Sequence, residues 1–222
     1  MSSRDTSLRD REARLRTLGA PRASPASRRP RRGLVLLALV LLALAVVIIA
    51  PTVDKVTQKI VLPLQHTDII RQQAKAKRLD PALIAAVIYA ETKFVPRTSP
   101  AGAEGLMQIL PATASFLAHR SGGTAFTEAD LATPQVNISY GSYYLRYLLD
   151  RYGQQTVAAV AAYNGGETNV NRWIARAGGH PGDLRAADIP FTETRAYVKK
   201  VLGAQREYRR SYARELGLGP VR

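Results

Sequence analysis

From Gly33 to Ala50 the chain reads GLVLLALVLLALAVVIIA, eighteen residues without a charge or a hydroxyl. That approaches the ~20 residues a helix needs to cross a bilayer, so a single transmembrane helix is expected over 33–50. Beyond it the pattern changes. Residues 51–66 read as a tether containing Pro51 and Pro63, and from Thr67 onward apolar residues recur at helical spacing, with no convincing strand alternation. Residues 67–210 are therefore expected to form one all-α domain, with 211–222 as a C-terminal tail. Asp80-Pro81 and Pro111 read as helix starts, and Gly153, Gly165 and Gly178 sit where helices should end.

Charge sharpens the N-terminal half of this picture. The net charge is +15, and within residues 1–32 ten arginines face only Asp5, Asp10 and Glu12. With almost no large apolar side chains, that stretch cannot offset the entropy of ordering and is expected to be a disordered basic tail. Arg28, Arg29, Arg31 and Arg32 directly precede the apolar run. The positive-inside bias then places the N-terminus in the cytoplasm and everything after Pro51 outside the cytoplasmic membrane. A cleaved signal peptide is the competing reading. The apolar run is long for one, and the small-x-small pair Ala43 and Ala45 lies inside the run. The chain has no cysteine, which excludes disulfides and thiolate metal sites, and its three histidines lack ligand spacing. The calculated pI of 10.5 suits nucleic acid as well as a wall or lipid surface. An extracytoplasmic domain removes nucleic acid as the usual partner.

One carboxylate stands out. In DPALIAAVIYAETKF, Glu91 continues the side carrying Ile84, Val87 and Ile88, close to the helix C-terminus. Loss of water and the negative helix end both disfavour its ionised form. A glutamic acid still protonated near neutral pH can donate to a leaving oxygen. A glutamate that simply turns to solvent is the plainer reading of this segment alone. The following SPAGAEGLMQILPATA offers a loop that can wall a cleft, in which Met107 supplies an adaptable apolar contact and Gln108 an amide. TVAAVAAYNGG puts Tyr163 and Asn164 at a helix end, and FTETRAYVKK offers Thr192 as a cap with Tyr197 inside a helix.

In this order, Glu91-Thr92, GAEGLMQILPATA, NISYGSYYL, AAYNGG and ETRAYV together resemble the soluble lytic transglycosylase catalytic domain, over about residues 67–210. The resemblance implies a helical fold similar to goose-type lysozyme and a long cleft for glycan strands of peptidoglycan, with no cofactor. It implies Glu91 as the one catalytic group. Glu91 would protonate the oxygen between N-acetylmuramic acid and N-acetylglucosamine, then accept a proton from the muramoyl C6 hydroxyl as that hydroxyl attacks C1 to give a 1,6-anhydromuramoyl end. Met107 and Gln108 match the cleft-lining motif, Tyr163 and Asn164 the motif beside the cut, and Tyr197 the tyrosine near the acid. Glu193 falls in the last motif, as an organiser of the cleft wall or half of an internal salt bridge. Ser99 and Gly105 are expected to shape backbone. Thr92 stands where the family most often has serine, with a hydroxyl able to donate to Glu91. Glu104 is expected to be exposed, with a charge that adds to the proton affinity of Glu91. A lysozyme-type hydrolase would need a second carboxylate, for which Asp130 and Glu167 are candidates. A non-catalytic wall-binding module is the reading from another class.

Overall fold

Proline opens three of the seven α-helices found between residues 62 and 219, a position where its missing N–H costs nothing and its φ is already helical. The computed structural model describes residues 62–122 and 126–219, together with Leu44. In chain order the helices are α1 Thr67–Lys77, α2 Pro81–Thr92, α3 Pro111–Ser121, α4 Pro134–Arg151, α5 Thr156–Gly165, α6 Glu167–Ala177 and α7 Thr192–Ser211. Short 3-10 turns at Glu128–Ala132, Pro181–Asp183 and Ala186–Asp188 join them. The expected N-terminal basic tail, the membrane span apart from Leu44, and most of the tether lie outside the described residues. Among the described residues no helix is long and apolar enough to cross a membrane.

The start of α2 is built as its sequence implies, with the Asp80 carboxylate accepting from Ala82 N at 3.0 Å and Pro81 in the first turn. Its apolar side is wider than the sequence reading allowed. Every residue from Ala82 to Ile88 is buried, as is every residue from Ala158 to Ala162 in α5. Helices apolar all round belong inside a domain rather than on its surface. These two form the centre, with α7 packed along both, while α4 packs on α5 and α1. Alanine supplies four of the five buried residues Ala158–Ala162 of α5.

The folded unit extends past both expected boundaries. Leu62, within the proposed tether, is buried, and so are Tyr212 and Leu216 in the proposed tail. The Tyr212 hydroxyl donates to Leu62 O at 2.9 Å, and the Tyr208 hydroxyl donates to Pro63 O at 2.6 Å. Pro63 breaks the short apolar run around Leu62, and in the C-terminal stretch Tyr212 and Leu216 stand singly among polar residues, so neither stretch carried a helical period. Thr192 is also not a cap: it is the first residue of α7, Phe191 precedes it, and no side chain caps that end.

Candidate active site

Glu91 lies in the last turn of α2, which ends at Lys93 in the left-handed conformation, φ 53°. Helix α7 crosses this end and presents Glu193, Tyr197 and Lys200 at steps of four and three residues, the spacing of one helical face. The Tyr197 hydroxyl donates to Glu91 Oε1 at 2.7 Å. Lys200 Nζ donates to Ala90 O at 2.7 Å, and Arg97 Nη2 donates to Glu91 O at 2.9 Å. Both cations therefore serve carbonyls at the negative end of α2. The second oxygen, Oε2, has no hydrogen-bond partner among the described residues.

Burial pushes the Glu91 carboxyl up to about 7, and the negative charge of Glu193 adds to the rise; the Tyr197 hydrogen bond and the charges of Lys200 and Arg97 oppose it. Desolvation thus wins over three stabilisers of the anion. The result is an acid that holds its proton near neutrality, with one oxygen fixed and the other free to deliver that proton.

The loop after α2 is held rigidly. Asn137 of α4 is buried; its Oδ1 accepts from Met107 N at 2.8 Å, and its Nδ2 donates to Glu104 O at 2.8 Å and Leu131 O at 3.0 Å. Gly105, φ 74°, sits directly on that amide, where an added Cβ would fall 2.2 Å from Asn137 Nδ2. Ser99 Oγ accepts from Ala103 N at 2.9 Å. Both expected backbone shapers therefore act as such. Tyr163 donates its hydroxyl to Met107 O at 2.9 Å, tying α5 to the same loop.

Three expectations need correction. Thr92 is buried and its hydroxyl faces backbone, with Leu106 O at 2.8 Å and Ile88 O at 3.2 Å, so it fastens the loop to α2 and does not donate to Glu91. Met107 is fully buried, with its sulfur packed where a Cβ on Gly141 would have to go, 2.4 Å away; its side chain offers no surface to a sugar. Glu104 is half-buried and accepts from Thr98 Oγ1 at 2.9 Å; the acid whose charge reaches Glu91 is Glu193 instead.

The remaining candidates are arranged as follows. Gln108, at φ 50°, donates Nε2 to Arg97 O at 2.7 Å and Gly105 O at 2.9 Å, leaving its carbonyl oxygen available. Asn164 is partly exposed near the end of α5, and its side chain makes no hydrogen bond among the described residues. Glu193 is exposed and forms no ion pair among the described residues, so the internal salt bridge is not made. Of the two carboxylates weighed for a hydrolase, Asp130 accepts from Thr127 N at 2.8 Å and from its Oγ1 at 2.9 Å. Glu167 pairs with Arg151 at 2.5 Å and accepts from the Tyr147 hydroxyl at 3.3 Å. Sequence reasoning missed Arg97, Lys200 and Asn137. A polar residue inside NISYGSYYL was visible, but nothing local identified its backbone partners some 30 residues away.

This arrangement can be set beside known proteins. Residues 68–185 match the transglycosylase SLT domain. The chain belongs to that family. It is 33% identical over 150 residues to the soluble lytic murein transglycosylase of Escherichia coli K12, covering 66% of this chain and 23% of that one. It is 32% identical over 169 residues to the membrane-bound lytic murein transglycosylase C of Edwardsiella ictaluri, covering 66% and 47%. Among solved structures, an inactive mutant of the lytic transglycosylase Slt of Pseudomonas aeruginosa superposes with a TM-score of 0.63 at 31% identity, covering 70% of this chain and 25% of that one. The all-α SLT fold is therefore shared with these enzymes. The chain spans about a quarter of the length of its soluble relatives.

Proposed function

We propose that this chain is a lytic transglycosylase that cuts the β-1,4 bond between N-acetylmuramic acid and N-acetylglucosamine of peptidoglycan, leaving a 1,6-anhydromuramoyl end. The observation that carries the reading is Glu91, protonated near neutrality and fixed through Oε1 by Tyr197, within an SLT domain. Oε2 protonates the glycosidic oxygen as the C1–O bond breaks. The carboxylate so formed takes the proton of the muramoyl C6 hydroxyl as that oxygen bonds to C1 within the same sugar. The glutamic acid is regenerated and no water is consumed. A tethered nucleophile supplies the effective concentration that a bound water would otherwise need. Gln108 and Asn164 supply the polar contacts to sugar, while Thr92, Met107 and Tyr163 hold the wall on which Gln108 sits.

Anchoring is part of the same reading: residues 33–50 span the cytoplasmic membrane once, with the arginine-rich N-terminus inside and the SLT domain outside. The membrane-bound lytic murein transglycosylase C among its relatives supports association with a membrane.

A hydrolytic reading has one observation in its favour, since Glu193 is an exposed carboxylate whose charge is felt at Glu91. Digestion of purified peptidoglycan by the full chain in detergent, beside Glu91→Gln and Glu193→Gln, separates the two. Transglycosylation gives muropeptides lighter by one water, abolished in Glu91→Gln and retained in Glu193→Gln. Reducing-end products at full mass that require both carboxylates would make the protein a hydrolase.

A further inference from the structure

The outer face of α4 borders a groove that takes no part in the site of Glu91. Two cavities make it up. One, of about 340 Å3, is lined by Lys77, Ser121, Ser139, Tyr140 and Tyr143. The other, of about 500 Å3, shares Lys77 and Tyr143 and adds Arg78, Arg146, Asp150 and Gln154. With two walls in common they form one trough. From Ser139 to Asp150 it follows α4 for about 16 Å, the span of an oligosaccharide rather than of one small molecule.

The segment SYGSYYLRY gives α4 four tyrosines, Tyr140, Tyr143, Tyr144 and Tyr147. Tyr140 stacks on Phe126 with ring centroids 4.6 Å apart. Tyr144 packs on Tyr163 at 5.2 Å, and Tyr147 is met by Phe116 at 5.4 Å and by Arg120. Tyr143 differs. It is half-buried, yet no ring, cation or hydrogen bond engages it among the described residues. Consecutive helical positions are turned by about 100°. Tyr144 therefore faces Tyr163 and the loop that Tyr163 holds, while Tyr143 faces the groove.

Lys77 is the second group without a full set of partners. Its ammonium donates to the neutral Gln73 Oε1 and meets no carboxylate among the described residues, and burial pushes its pKa down. The hydroxyls of Ser139, Tyr140 and Tyr143 also make no hydrogen bond among the described residues. An unstacked ring, a half-dry cation and three idle hydroxyls do nothing for the fold. They are what a sugar needs: the ring takes the C–H face of a pyranose, and the polar groups take its hydroxyls and acetamido oxygen.

We propose that this groove binds a neighbouring glycan strand of the wall, with an N-acetylhexosamine ring stacked on Tyr143 and its acetamido oxygen accepting from Lys77. The site rests on the transglycosylase reading. The strand being cut at Glu91 would have to bend around α4 to reach the groove, so the occupant is a neighbour. Peptidoglycan is a network, and holding one strand keeps the strands linked to it near Glu91 at raised effective concentration. The gain exists only where strands are cross-linked.

The test measures kcat and KM of the full chain in detergent on cross-linked sacculi and on isolated strands freed of cross-links by an endopeptidase. Tyr143→Ala should raise KM on sacculi about fivefold and leave both constants on isolated strands unaltered. Lys77→Met should act in the same direction, and Tyr143→Phe, which keeps the ring, should lose little. Unchanged KM on sacculi in Tyr143→Ala, with folding verified by melting curves, overturns the site. So does an equal rise on both substrates, the result a structural defect would give. An effect of Tyr143→Ala that disappears in high salt would mark an anion site and overturn the sugar assignment. Wild type alone supplies a further check: a KM per glycosidic bond no lower on sacculi than on isolated strands overturns the proposal without any variant. Loss of Glu91-dependent anhydro products from both substrates would instead overturn the transglycosylase reading beneath it.

Discussion

Tyr197 reaches Glu91 from a helix 106 residues further along the chain and donates its hydroxyl to Oε1 at 2.7 Å. A phenol that donates to a carboxylate stabilises the anion, so Tyr197 works against the burial that keeps Glu91 protonated. Its value lies in orientation: by occupying Oε1 it leaves the proton on Oε2. Tyr197→Phe should raise the proton affinity of Glu91 and move the alkaline limb of the pH–rate profile upward from about 7. It should also lower kcat by about tenfold through lost positioning. A pH profile of kcat over pH 5–9 checks both, and a downward shift of the alkaline limb would contradict this account of Tyr197.

Asn137 is the residue on which the loop wall depends. Its amide makes three hydrogen bonds to backbone of the loop and of the turn before α4. Asn137→Leu removes all of them and leaves buried peptide groups unpaired, at about 1–3 kcal/mol for each group that stays dry. The expected loss is at least about 3 kcal/mol in urea denaturation. Asn137→Asp keeps the acceptor for Met107 N while setting a carboxylate against the Glu104 and Leu131 carbonyls, so it should fail to rescue.

Much of this was legible in the chain. Asp80, Pro81 and Pro111 sit where local chemistry starts helices, and the glutamate in a nearly all-apolar segment marked itself. The all-α class followed from periodicity. What was not legible depends on long-range packing. Nothing near Thr92 says that Leu106 O will be its acceptor, so a hydroxyl beside the acid was read as serving the acid. Met107 looked like a flexible surface contact because the glycine that makes room for its sulfur, Gly141, lies on another helix. Nothing near Lys200 or Arg97 in the sequence marks the carbonyls of Ala90 and Glu91 as their acceptors.

The pairing of Met107 with Gly141 gives a direct stability test. An added methyl at Gly141 would lie 2.4 Å from Met107 Sδ and 2.7 Å from its Cβ, so Met107 must shift, while Tyr163 holds its carbonyl through a hydrogen bond. Gly141→Ala should destabilise by about 1–3 kcal/mol as an overpacked core, despite the better helix propensity of alanine. Adding Met107→Ala, which vacates the contested space, should recover part of that loss. Denaturant midpoints of the two single variants and the double variant measure this coupling, and strict additivity would show that the two residues do not compete for the same volume.

Thr92 separates a fastening role from a catalytic one. Thr92→Ser keeps the donor to Leu106 O and loses one methyl from a buried position, an expected cost of about 1 kcal/mol. Thr92→Val keeps the shape but leaves the Leu106 carbonyl without its partner, costing about 1–3 kcal/mol. Because the hydroxyl does not touch Glu91, neither change should move the alkaline limb of the pH–rate profile. A shift of that limb in Thr92→Val beyond the error of the fit would mean that the hydroxyl does act on the acid.

Holding a protonated acid out of water is itself destabilising, with a fixed pH signature. The carboxyl of Glu91 is raised from 4.5 to about 7 in the folded chain. Below pH 4.5 both folded and unfolded forms carry the proton, and the group makes no difference. Between 4.5 and 7 the unfolded chain gives up its proton while the folded one keeps it, so stability falls as pH rises. Above 7 both are ionised and the full deficit remains, about 3 kcal/mol at most from 1.36 kcal/mol per unit. Glu91→Gln cannot ionise and keeps an acceptor for Tyr197. It should therefore match wild type in thermal melts near pH 4 and melt several degrees higher at pH 8, while losing activity at every pH. Equal melting temperatures across that range would mean that the carboxyl is solvated after all, and that an acid near neutrality must be sought elsewhere in the domain.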